Sequence, residues 1–144
     1  MIRPLTPSDR EIYKALAHEF YSTDAVLSPV PDEYFDRTFD EMMRSSLFAE
    51  AFLLCLHGET VGYALLAKTF SQEAGGNVVW IEELYIRPGY RGNGLGSEFF
   101  RFLFKERPAA RYRLETEPEN EAAVRLYKRM GFEILPYGQM KKDV

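Results

Sequence analysis

Cysteine, histidine and tryptophan are almost missing from this chain. The single cysteine, Cys55, excludes an internal disulfide framework and fits a reducing compartment, so a cytoplasmic location is expected. Cys55 and the two histidines, His18 and His57, form no zinc-ligand cluster, and no metal site is expected. No apolar run approaches the roughly 20 residues that span a bilayer. The opening Met1-Ile2-Arg3-Pro4 has no apolar signal core, so no membrane association is expected. Basic residues are in deficit, 18 Lys and Arg against 22 Asp and Glu, for a net charge of −4. That balance argues against nucleic acid, whose binders carry a basic face, and suits a cationic substrate. Internal repeats and low-complexity tracts are absent as well.

What is present is an ordinary globular composition, 46% hydrophobic and 28% charged over 144 residues, which suits one domain spanning 1–144 around one core. A helix is expected after the Thr6-Pro7-Ser8-Asp9 cap region, running to 21, with Ile12, Leu16 and Phe20 at helical spacing. Residues 22–31 read as a loop and 32–46 as a second helix. Strands at 51–56 and 60–69 join in a hairpin at His57-Gly58-Glu59. A turn at 72–77 leads to a strand ending at Ile86. A glycine turn, a helix to about 108, a strand at 111–116 and a helix at 119–130 follow. A last strand pair is expected at 132–135 and 139–142. The order is mixed α and β, without strict βαβ alternation.

The most informative feature is the run Arg91-Gly92-Asn93-Gly94-Leu95-Gly96, between an apolar strand-like segment and an amphipathic helix-like segment at 97–106. Glycine lets the backbone approach a ligand and adopt positive φ. The free N–H groups and positive dipole end of a helix start attract phosphate oxygens. Arg91 adds a planar, permanent charge suited to phosphate. A plain strand-to-helix turn is the bland reading, but three glycines in five residues exceed what a turn needs. Neither common nucleotide motif fits. No Lys-Ser or Lys-Thr follows the glycines, as a P-loop requires, and both frames of G-x-G-x-x-G fail, at Ser97 and at Phe99.

Here the chain resembles the GNAT superfamily of N-acetyltransferases. Arg91, Gly94 and Gly96 fill the defining positions of that family's pyrophosphate loop, [R/Q]-x-x-G-x-[G/A]. The segment 120–132, from Asn120 through Tyr127 to Gly131-Phe132, is similar to its second coenzyme A motif, N-x-x-A-x-x-[LF]-Y-x-x-x-G-F. The resemblance is dense from 78 to 132 and weaker before it. It implies a mixed, mostly antiparallel sheet flanked by helices on both faces, with the strand ending at Ile86 parting from the strand at 111–116. It implies acetyl-CoA as co-substrate, with the pantetheine arm on the backbone of Leu84, Tyr85 and Ile86. The pyrophosphate would lie on N–H groups of Gly92, Asn93, Gly94, Leu95, Gly96 and Ser97, beside Arg91. Asn120 would hold the pantetheine arm, and Tyr127 would lie near the sulfur and protonate the departing thiolate. The implied reaction is direct attack by a primary amine, of a small molecule or a peptide, in a ternary complex; a homodimer is left open.

Several residues carry a competing reading. Tyr127 reads otherwise as a core aromatic, and Asn120 as a helix cap. Glu82 and Glu83 interrupt an apolar strand, where burying a carboxylate is costly without a partner. Strand neighbours point to opposite faces, so the two should not share an environment. One solvated edge position and one structural ion pair would explain them. The other reading makes one of them the base that deprotonates the amine. The family resemblance favours Glu82, whose counterpart in polyamine-acetylating members is a glutamate just before the loop. Cys55 reads as a small buried hydrophobe rather than an acyl carrier. Phe20, Tyr21, Tyr34 and Phe35 read first as core and second as an acceptor pocket. A non-catalytic acyl-CoA sensor and a nucleotide-phosphate module are the alternatives from other classes.

Overall fold

The computed structural model describes residues 1–144. Its five strands are β1 (Ile2–Pro4), β2 (Ala49–Leu56), β3 (Glu59–Ser71), β4 (Gly76–Ile86) and β5 (Arg111–Leu114), lying in that order across one sheet. Neighbours are antiparallel except β4 and β5, which run parallel. The helices are α1 (Arg10–Tyr21), α2 (Asp32–Arg44), α3 (Leu95–Glu106) and α4 (Glu121–Arg129). The expected mixed sheet with helices on both faces is the architecture observed. No helix is long and apolar enough to cross a membrane.

Two apolar clusters hold the helices to the two faces. On one, Leu95, Phe99, Phe100 and Leu103 of α3 pack on Phe52, Leu54, Val79 and Ile81, with Leu126 and Tyr127 of α4 at the margin. On the other, Tyr13, Leu16 and Ala17 of α1 and Phe35, Phe39 and Met42 of α2 pack on Leu53, Tyr63 and Tyr85. Each fully buried large apolar side chain contributes about 1.5–3 kcal/mol. Ion pairs lace α1 to α2: Arg10 to Asp36 and Asp40, Lys14 to Asp32 and Asp36. α3 stops where Arg107, the residue before Pro108, leaves the helical region (φ −133°, ψ 65°).

A β-bulge in β4 positions the site. Leu65 of β3 faces Glu83, but the next residue, Leu66, faces Ile81, so Glu82 is the extra residue. Strict alternation would put Ile81, Glu83 and Tyr85 on one face. The bulge resets the phase: Ile81, Leu84 and Ile86 join the α3 side, while Tyr85 joins the α1 and α2 side, where Glu83 meets Tyr21 and Tyr63.

Three expectations need correction. The short strand β1 is additional; it adds to the sheet edge through pairs such as Arg3 with Leu53. β5 ends at Leu114, two residues early, where its pairing with β4 ends at Ile81. The final strand pair at 132–135 and 139–142 does not form. Only Phe132 there gains packing, against Phe100 and Phe104. Ile134, Leu135, Tyr137 and Met140 are exposed, so a hairpin would bury no face, and an isolated two-stranded hairpin is marginal in water.

Candidate active site

β4 and β5 part beyond the Ile81–Leu114 pair, while β3 keeps its pairing with β4 as far as Ile86. The parting opens a cavity of about 1260 Å³ between β4, β5, α3, α4 and the segment after α1. The exposed backbone edge of β4 forms one wall. Arg87 N–H bonds Val61 C=O, and in an antiparallel ladder the bonded pairs alternate. Tyr85 therefore directs its polar groups to β3, and Leu84 and Ile86 direct theirs into the cleft. The Ile86 carbonyl already accepts from Arg91 Nε at 2.8 Å.

The glycine run caps this cleft. Gly94 is the N-cap of α3 at φ 78°, a conformation natural to glycine, and a Cβ there would meet nothing within 4 Å. The helical bond series begins with Glu98 N–H to Gly94 C=O at 2.9 Å, which leaves the N–H groups of Leu95, Gly96 and Ser97 without backbone acceptors. Gly92 also lies at positive φ, 81°. Asn93 turns its amide inward to Tyr90 C=O. Gly96 has a packing role as well: a Cβ there would lie 2.7 Å from Leu126 Cδ2, so its bareness lets α4 pack on α3. Arg91 is exposed, makes no ion pair, and sits with its guanidinium carbon 5.9 Å from the centre of the Tyr85 ring.

On α4, Asn120 is the N-cap, its Oδ1 accepting from Ala123 N–H at 3.4 Å. The cap reading of Asn120 is thus the observed one, with its amide donors left unspent. Tyr127 packs its ring edge-on against Phe100, 5.8 Å between centres, and also against Phe132. Its hydroxyl makes no hydrogen bond within the protein and is not sealed from solvent, and the residue lines the cleft. Burial raises its pKa above the usual tyrosine range, so it stays protonated at neutral pH.

At the bulge, Glu82 is the first β4 residue beyond the paired segment. It makes no hydrogen bond or ion pair in the protein, and its carboxylate reaches solvent. Burial, then the neighbouring charges of Glu83 and Glu115, raise its pKa above the usual carboxylate range. Glu83 is half-buried and accepts from Tyr21 Oη at 2.5 Å and Tyr63 Oη at 2.7 Å. Burial raises its pKa, and the two phenols partly offset the rise. The glutamates take different surroundings, as expected, yet both line the one cleft. Cys55 is buried on β2, outside the cleft lining. Of the four aromatics considered as pocket residues, Phe20 and Tyr21 line this cleft, while Tyr21, Tyr34 and Phe35 line a smaller cavity behind it.

Charge divides the cleft lining. Arg91, Arg125 and Arg129 come from the glycine run and α4; Glu82, Glu83, Glu115 and Glu117 come from the bulge and the segment just after β5, and Asp24 and Glu119, after α1 and before α4, also line the cleft. Arg125 and Arg129 were missed in the sequence, although their four-residue spacing inside the second motif puts them on one helix face. Tyr63 and Glu115 carry no local signal at all.

The chain's residues 10–132 match the model of the acetyltransferase (GNAT) family. The chain belongs to this family. Among curated relatives in it, the thialysine N-ε-acetyltransferase of Sus scrofa is 31% identical over 64% of this chain and 63% of its own length. The streptothricin acetyltransferase of Streptomyces lavendulae is 33% identical over 52% of this chain and 39% of its own length. The chain thus spans less than two thirds of these relatives. Solved structures share the fold over nearly the whole chain. An integron cassette protein from the mobile metagenome of Cole Harbour Salt Marsh superposes with a TM-score of 0.82 at 23% identity, covering 99% of this chain and 90% of its own. The aminoglycoside N-acetyltransferase AAC(6')-Iy, solved with a bisubstrate CoA analogue, gives 0.81 at 16% identity, covering 100% and 97%.

Proposed function

We propose that the chain is an acetyl-CoA-dependent N-acetyltransferase that acetylates a primary amine, of a small molecule or a peptide, by direct attack in a ternary complex. The observation that carries this reading is the divided charge of one cleft. Unsatisfied N–H groups, Gly94 and Arg91 stand at one end, and two carboxylates without a cation stand at the other. Acetyl-CoA, when bound, supplies an activated acyl carbon and a thiolate leaving group.

The residues fit that co-substrate. The N–H groups of the run from Gly92 to Ser97, with the Arg91 fork, hold a pyrophosphate. The open Leu84 and Ile86 edge of β4 takes an amide-bearing arm as an added strand, and the Asn120 amide donors face the same arm. The Leu84 N–H serves as a single donor to the reacting carbonyl oxygen. Holding the two reactants in one cleft contributes much of the acceleration. Glu82 removes a proton from the substrate ammonium, directly or through one water. The freed nitrogen bonds to the acyl carbon as the carbon–sulfur bond breaks, Tyr127 gives its proton to sulfur and regains one from the amide nitrogen, which sheds its extra proton directly or through water, and Glu82 passes its own to solvent. The raised pKa of Glu82 favours it as a proton acceptor near neutrality, and that of Tyr127 keeps a proton available. The burial of Cys55 away from the cleft favours direct transfer over an acyl-enzyme. The names of the relatives, which specify thialysine, streptothricin and aminoglycoside, support an amine acceptor.

Thiol release from acetyl-CoA, followed over a panel of primary amines, tests the reading. Amine-dependent release with acetylated amine as product is the expected result. Coenzyme A binding without turnover of any amine would mark a sensor instead.

A further inference from the structure

Seven acidic side chains are at least partly withdrawn from solvent, and six of them face a cation. Asp9 pairs with Arg3, Glu19 with Arg87, Asp36 with Arg10 and Lys14, Glu41 with Arg44, Glu50 with Lys68 and Arg107, and Glu98 with the N-terminal ammonium. Like the more exposed Glu82 beside it, Glu83 has none; two phenols bond it and no positive group of the protein reaches it. Withdrawing a carboxylate without a counter-charge is costly, and a fold that pairs its other six leaves this one for a group it does not supply.

The surroundings of Glu83 suit a cation. Behind the cleft, between α1, α2 and the sheet, lies a cavity of about 150 Å³. Glu83 lines it with the rings of Tyr13, Tyr21, Tyr34 and Phe35, and with Thr38. Aromatic faces around one carboxylate attract ammonium groups and hold alkyl chains poorly solvated in water. The volume is about five times the roughly 30 Å³ of a liquid water, enough for an ammonium and its adjoining carbons. Tyr34, partly exposed, stands at the rim. Tyr21 and Glu83 also line the large cleft, so they form the partition between the two spaces. A ligand lying at Glu82 therefore reaches Glu83 without crossing the sheet.

We infer that this cavity is a second-cation subsite, and that the acceptor carries at least two positive charges: one amine that reacts at Glu82 and a distal ammonium held by Glu83 among the aromatic rings. The inference rests on the acetyl-transfer reading for the reacting amine, but the subsite is a binding claim that can be measured without turnover.

The test compares 1,5-diaminopentane with pentylamine, which share a chain and differ in the second charge. The wild-type kcat/KM ratio of diamine to monoamine should be about tenfold or more, the scale of a desolvated cation on aromatic faces. Glu83→Gln should bring the ratio close to one, and so should Thr38→Trp, which fills the cavity and leaves the carboxylate in place. Loss of a general base would slow both acceptors alike and leave the ratio unchanged, so the ratio separates the two roles of a carboxylate here. A wild-type ratio near one, or a ratio that survives in the variants, overturns the inference. Where Glu83→Gln does not fold, Thr38→Trp decides alone by the same criterion. Should acetyl transfer itself be absent, the acetyltransferase reading fails separately, and calorimetric titration of the two amines decides the subsite. Tighter binding of the diamine, lost in Thr38→Trp, upholds it; equal or undetectable binding overturns it.

Discussion

At the α3 end of the cleft the free polar groups are backbone N–H groups, and at the bulge end the polar groups are side chains drawn from α1, β3 and β4. The first end needs a particular chain path: Gly94 at positive φ and three N–H groups without backbone acceptors. The second needs particular neighbours: Glu83 under phenols that lie 62 and 20 residues away in sequence. A backbone site is written in consecutive residues and tolerates little change at them. A side-chain site is written across the fold and can be retuned one residue at a time.

The contrast is broken most severely at Gly94. Gly94→Val should abolish the thermal shift produced by coenzyme A, because a β-branched residue at φ 78° is strained and its side chain would stand in the open space before the helix N–H groups. Gly96→Val should instead lower the melting temperature without ligand, since its side chain would strike Leu126. Equal unfolding of both variants, with binding retained in the Gly94 variant, would show that the two glycines do not divide their work this way.

A smaller effect is expected where the ends meet. Tyr127→Phe keeps the packing on Phe100 and removes the proton, so kcat should fall by about 10²-fold with coenzyme A affinity nearly unchanged. Glu82→Gln should lower activity chiefly at low pH, where the amine is an ammonium, and regain it as pH rises toward the amine pKa of about 10. Rescue of Glu83→Gln by pH in place of Glu82→Gln would exchange the roles of the two carboxylates.

The mildest test is stability. Glu50 and Glu83 are both half-buried on the sheet. Burial pushes Glu50 up too, but hydrogen bonds from Arg107 and Lys68 outweigh it and hold Glu50 below the carboxylate range, whereas Glu83 is held above it. The stability tied to Glu50 is present above the unfolded value of about 4.3 and is lost as pH falls through its lower folded value. The stability tied to Glu83 is present below about 4.3 and is lost as pH rises through its higher folded value. Between about pH 4 and pH 7, Glu83→Gln should therefore gain melting temperature relative to wild type by roughly a few degrees, while Glu50→Gln does not. Parallel shifts in both variants would contradict the assigned environments.

The same contrast explains what was legible in the sequence. The glycine run, the Asn120 cap and the Tyr127 position were readable because each is local. The apolar spacing of α1, α2 and α3 was readable because burial imposes the helical period. The bulge at Glu82 was not, since an extra strand residue shows only against its partner strand; alternation alone misphases Glu83 with Ile81. The pairing of Tyr21 and Tyr63 on Glu83 depends on that bulge and was equally hidden. The segment after 132 failed for another reason: its alternating apolar residues look like strands, but no partner offers them a face to bury.

Calorimetric titration of coenzyme A against pantetheine, which lacks the pyrophosphate, tests most directly whether the glycine run and Arg91 form the donor end of the cleft. Coenzyme A should bind one site per chain, pantetheine at least about tenfold more weakly, and Arg91→Ala should narrow that gap. No heat and no thermal shift with coenzyme A at millimolar concentration, or equal affinity for the two compounds, would contradict the account.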